Sequence, residues 1–111
     1  MSFKFDATET GFSDGLGGAS NSAGADDYHY IVFGRQIDSQ HPENSGAYFE
    51  FDDQANGGIN IVKKIVIIDD NVVFMLIDSS IIQVFCKTDR NSWQDFLCGI
   101  DESFDSEIIH A

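Results

Sequence analysis

Positive charge is what this sequence has least of. Six Lys and Arg stand against 19 Asp and Glu in 111 residues, a formal net charge of -13. Proteins that hold nucleic acid neutralise phosphates with clustered cations, and here the cations are few and scattered. The balance argues against direct nucleic-acid binding, and the same charge repels an anionic membrane. Long apolar runs are missing as well. The stretches 65–68 and 72–77 are divided by Asp69-Asp70-Asn71 and fall far short of the ~20 residues that span a bilayer. Cysteine is down to Cys86 and Cys98, which stand at neither a metal-ligand nor a CxxC redox spacing. A disulfide between them is open to the sequence, but they read as two buried thiols of a cytosolic core. The opening Met1-Ser2-Phe3-Lys4-Phe5-Asp6 reads as the start of a folded domain rather than a targeting signal, which predicts a cytoplasmic protein.

Aromatic and aliphatic residues are plentiful. The hydrophobic fraction is 42%, with ten Phe, three Tyr and one Trp, enough to fill a core and to set the chain apart from acidic disordered segments. The length supports a single domain over 1–111, because a second core would have too little sequence to fill it. A surface this acidic attracts cationic partners, and focused fields of that kind speed encounter by about tenfold or more at low salt. The plainer reading is that acidity keeps a small protein soluble or reflects a saline habitat.

Alternation of apolar and polar residues predicts strands over 3–8, 28–36, 47–51, 59–68, 72–77 and 81–87. In the second of these both faces carry bulky groups, as in an interior strand. Residues 11–27 hold five glycines among Ala, Ser, Asn and Asp, the composition of a flexible loop that orders against a partner. Residues 52–58 read as a turn. Asp69-Asp70-Asn71 between two β-branched runs is the strongest hairpin signal. After residue 87 the period changes: Trp93, Phe96, Leu97 and Ile100 fall at helical spacing, with Asn91 or Ser92 as cap and Gln94 completing a capping box. The segment 104–110 continues the helix or forms a tail. The expected fold is α+β, a curved antiparallel or mixed sheet of five to six strands with one C-terminal helix packed on a face.

Few patterns point to chemistry. Gly15-Leu16-Gly17-Gly18-Ala19 lacks the spacing of a phosphate-binding loop, and no Lys follows it. His29, His41 and His110 fall in a strand, a loop and the C-terminal end, with no ligand spacing between them; His29 reads as a surface or edge residue. Glu50 and Asp52 share a strand face beside Tyr48, which invites comparison with a paired-carboxylate hydrolase. Such a pair also needs a cleft and one raised pKa, and the plainer reading is an acidic strand end. Residues 52–58 offer oxygen ligands but lack the twelve-residue calcium loop and its final Glu. No catalytic residue, no metal site and no cofactor is therefore expected.

The run Tyr48-Phe49-Glu50-Phe51-Asp52-Asp53-Gln54, followed by Gly57-Gly58-Ile59 and two strands, resembles the immunity protein 10 family of bacterial polymorphic toxin systems. Further matching pieces are Tyr30-Ile31-Val32-Phe33-Gly34-Arg35-Gln36, Ile82-Gln83-Val84-Phe85-Cys86 and Trp93-Gln94-Asp95-Phe96-Leu97, so the likeness spans residues 28–104. It implies an immunity protein that binds and neutralises a cognate toxin domain, often a nuclease. A nuclease holds phosphates on a cationic surface, which an acidic inhibitor complements. The residues expected to meet such a partner are Tyr48, Glu50, Asp52 and Asp53, with Asp69 and Asp70 as a second acidic cluster. The alternatives are a structural or regulatory domain that self-associates through an uncovered sheet edge or face, and, more weakly, a small hydrolase with an acidic site.

Overall fold

The computed structural model describes residues 2–22 and 26–111. In chain order the elements are β1 (Phe3–Ala7), β2 (Glu9–Ser13), β3 (Leu16–Ser20), β4 (Tyr30–Gln36), β5 (Gly46–Phe51), β6 (Asp53–Ile59), β7 (Val62–Ile68), β8 (Asn71–Leu76), β9 (Ile81–Cys86), α1 (Arg90–Ser103) and β10 (Glu107–His110). A short 3-10 turn, Pro42–Asn44, lies between β4 and β5. The protein is α+β, with its one long helix near the C-terminus lying on a sheet face. The strands outnumber the expected five to six: ten are described, in two five-stranded sheets. A front sheet runs β2-β3-β4-β5-β6, all antiparallel, and a back sheet runs β1-β9-β8-β7-β10 with both of its edge strands parallel to their neighbours.

Two of the extra front strands, β2 and β3, draw on the segment expected to be a flexible loop. Asp14 and Gly15 both take left-handed φ, 54° and 80°, the conformation of the two-residue turn whose twist matches paired strands. That turn joins β2 to β3, and Leu16 to Ser20 then pair in register with both β2 and β4. The glycines serve packing. A side chain at Gly17 would run into Phe33 and Phe12, and one at Gly99 of α1 would run into the same Phe12 ring. Phe12 is thereby seated where helix and sheet approach most closely. Residues 23–25, at the far end of the expected loop, lie outside the described residues.

A second correction concerns residues 52–58. Asp52 alone makes the reversal, at φ 61°, and Asp53 to Ile59 return as the edge strand β6, with a register shift between Phe49 and Phe51. An edge strand pairs on one side only, so a run as poor in β-formers as this one suffices. The segment 104–110 is likewise neither helix nor tail: Glu107 to His110 pair in parallel with Lys64 to Ile67 of β7.

The chain passes between the sheets at Thr8, whose N–H donates to Ser20 O at 3.0 Å, and at Asn60, where φ is 58°. The inner faces meet ring on ring, with Phe49 and Phe74 5.0 Å apart. Helix α1 lies against β2, β3 and β4 and turns Trp93, Phe96, Gly99, Ile100 and Ser103 inward. Leu97, expected in the core, is only half-buried. Phe104, just past the helix, packs on Phe33, Phe49 and Phe74. The cap lies two residues before the nearer of the two expected: Asp89 accepts from the Ser92 N–H and from its hydroxyl, both at 2.9 Å, so Asp89 rather than Asn91 or Ser92 satisfies the first turn. Cys86 and Cys98 are unpaired, half-buried and exposed respectively rather than buried. No helix among the described residues is long and apolar enough to cross a membrane.

Candidate partner-binding face

Strand alternation divides the front sheet. Ile31, Phe33, Phe49 and Phe51 point to the core, and the residues between them point out. Register fixes their neighbours: Leu16, Gly34 and Tyr48 form one cross-strand row, and Gly18, Val32 and Glu50 the next. Ser20 and Tyr30 form a third. The outer face is thus a band of Tyr, Val and Leu over a glycine floor. A Cβ at Gly18 would sit 2.8 Å from the Ile31 carbonyl, and one at Gly34 2.7 Å from the Gly15 carbonyl; side chains are excluded there by neighbouring backbone. Two shallow hollows follow, of about 290 Å³ over Gly18 and about 240 Å³ over Gly34. Leu16 is 65% exposed and Tyr28, at the rim, 44%.

Glu50 lies at the centre, only 8% exposed. Tyr30 Oη donates to its Oε2 at 2.5 Å and Tyr48 Oη to its Oε1 at 2.6 Å. Tyr48 reaches it from two residues back along β5 and Tyr30 diagonally from β4, the two directions in which same-face side chains meet in a sheet. Gly57 of β6 leaves the space the Tyr48 hydroxyl occupies. The hydrogen bond to Glu50 holds the Tyr30 hydroxyl well above its ordinary pKa, helped by burial and then by the negative charges of Glu50, Asp53 and Asp52. Tyr48 is raised by the same bond, by burial and by the Glu50 charge.

Asp52 is tied down as well. Its Oδ1 accepts from the Tyr30 N–H at 3.1 Å and its Oδ2 meets His29 Nδ1 at 2.8 Å. His29 Nε2 faces Asp27 at 3.2 Å, and the ring stacks on Phe3 of β1 with centroids 4.3 Å apart. Each ring nitrogen thus faces a carboxylate. His29, read from sequence as a surface or edge residue, is therefore a clamp between the sheets. Asp27 and His29 are two apart on the chain, but Asp52 joins them only through the pairing of β4 with β5, which no local pattern announces. Tyr30 and Tyr28 were missed for the same reason.

Of the six residues singled out in the sequence, Tyr48, Glu50, Asp52 and Asp53 gather at this face. Tyr48 and Asp52 are half-buried and Asp53 is exposed. Asp69 and Asp70 do not join them. They form the exposed β7–β8 turn of the back sheet and line a surface hollow of about 560 Å³ with Lys4, Asp6, Phe85 and Lys87. The cations segregate too: Lys4, Lys63 and Lys64 lie on back-sheet strands and Lys87 directly follows one. Arg35, on β4, is bonded to Asp105 at 2.7 Å and to Ser103 O at 3.2 Å. The front face thus joins an aromatic centre to an acidic rim of Glu9, Asp27, Asp52 and Asp53. Compared with protein-family models, curated proteins and solved structures, the chain gives no match.

Proposed function

We propose that the chain is an immunity protein that binds a basic bacterial toxin domain, possessing nuclease activity in the leading case, through the outer face of the front sheet, and that it acts in the cytoplasm of the cell that makes the toxin. The observation that carries the reading is the character of this face: exposed Leu16 and Tyr28, with Tyr30, Val32 and Tyr48 beside them, ringed by carboxylates on a chain of net charge -13. An apolar, tyrosine-rich centre inside a charged rim is the make-up of a protein-binding patch. Carboxylates at the rim complement a surface built to hold phosphates. Binding suits the face better than catalysis, because the Glu50 and Asp52 oxygens are already taken by hydrogen bonds within the chain, to Tyr30, Tyr48 and His29. The resemblance carried by residues 28–104 points the same way.

The test is to look beside this gene for one encoding a large toxin with a variable C-terminal domain, and to co-express the chain with that domain. Protection of the cells and a purified complex are expected. A chain that neither protects nor co-purifies is not its immunity protein.

A further inference from the structure

The back sheet also has an outer face, and it is of the opposite kind. Register puts Ile109, Val66, Val73 and Gln83 in one row across it, ending at Lys4. Met75 and Ile81 lie in the row above, Phe85 in the row below. All of these are at least partly exposed, Ile81 to 41%, whereas an antiparallel sheet with one solvated face ordinarily turns polar residues outward. Helix α1 lies on the front sheet and leaves this apolar band uncovered.

We propose that two copies of the chain pack face to face through the outer face of the back sheet. The charges on the face select the occupant. On a molecule of net charge -13, this face carries four of each sign: Lys64 beside Glu107, 3.9 Å apart at the β7–β10 edge, with Lys63 by the same hollow, and Lys4 and Asp6 along β1 at the other, with Lys87, Asp69 and Asp70 around the hollow they line together. A basic partner finds no net charge to meet here and is better served by the front face. A two-fold interface requires a patch complementary to itself, and this one has that property. With the axis along the central strand β8, β1 of each copy lies over β10 of the other, which sets Val66 over Gln83 and Lys4 over Ile109 of the second copy, one side-chain row from its Glu107. Five strands about 4.8 Å apart and three side-chain rows about 6.8 Å apart give roughly 500 Å² a side. The sum, roughly 1,000 Å², is at the lower bound for a specific interface. The dimer is therefore a weak one, opposed by like charge elsewhere and favoured by salt, the reverse of the toxin complex.

Sedimentation equilibrium of the whole chain from micromolar to millimolar concentration tests this. A monomer–dimer equilibrium is expected, at least about tenfold tighter at 1 M salt than at 0.15 M as repulsion is screened. Val73→Lys, at the two-fold axis, should stay monomeric throughout, and Val32→Lys on the front face should dimerise like wild type. Zero-length carbodiimide coupling of the unmodified protein should join Lys4 to Glu107 between copies, which keeps the test available if Val73→Lys does not fold. A wild-type chain that remains monomeric at every concentration and salt overturns the proposal. So does a dimer that survives Val73→Lys or is lost with Val32→Lys.

Discussion

The Glu50 carboxylate is held at both oxygens, and the two tyrosines that hold it also make up the aromatic centre of the front face. Keeping that acid in place therefore keeps the face in shape. Tyr30→Phe and Tyr48→Phe should each lower stability by about 1 kcal/mol, the net worth of one hydrogen bond from a half-buried hydroxyl, measured by urea unfolding. The pH dependence has a definite sign. Both hydroxyls are raised in the folded protein, so above the ordinary tyrosine pKa of about 10 the unfolded chain releases protons that the native one retains. The stabilisation is complete below that pH and is lost as pH rises toward the folded values. Double replacement by Phe should flatten the alkaline fall in stability, and an equal slope in the variant would contradict the assignment. Tyr48 and Glu50 were legible in the sequence as same-face neighbours two apart on a strand. What the sequence could not supply was Tyr30, whose approach depends on β4 pairing with β5 in one particular register.

Helix α1 and strands β4, β5, β7, β8 and β9 announce themselves through period, and their positions follow the periodicity within a few residues. Phe96 is fully buried between Trp93 and Phe33, so Phe96→Ala should cost about 3–5 kcal/mol by the same unfolding measurement; a loss under ~1 kcal/mol would mean the helix face is wrongly assigned. The β2–β3 hairpin was read as loop because glycine is ordinarily a strand breaker. Here Gly17 and Gly18 are dictated by the close approach of Phe33, Phe12 and the Ile31 backbone, and the decisive signal was the Asp14-Gly15 pair at the turn. β3 is bonded on both sides, so its amides at residues 17–19 should exchange far more slowly than those of the flanking turns. Uniformly fast exchange across 9–20 would show that the hairpin does not form. β6 and β10 escaped for a different reason: an edge strand needs only one neighbour, and its side chains carry little of the pattern that betrays an interior strand.

Charge is partitioned across the protein. The front sheet turns carboxylates and tyrosines outward, while four of the six cations lie on or directly beside the back sheet. Net charge alone, visible in the composition, suggested a basic partner but not where it would dock, since acidic residues occur in almost every turn. The two-sheet arrangement separates the candidates, with Asp53 at the front rim and Asp69 and Asp70 at the end of the other sheet. That separation permits a direct comparison. Association and dissociation rates with the toxin domain proposed as partner should be measured against ionic strength for wild type, for Asp52→Asn with Asp53→Asn, and for Asp69→Asn with Asp70→Asn, after folding of each is confirmed. The front pair should slow association and flatten its salt dependence, and loss of the bonds that Asp52 makes to His29 and Tyr30 should add faster dissociation. The back pair, removing the same charge, should change both rates much less. Front-pair rates and salt slopes equal to wild type, or a larger effect from the back pair, would contradict binding through the front face.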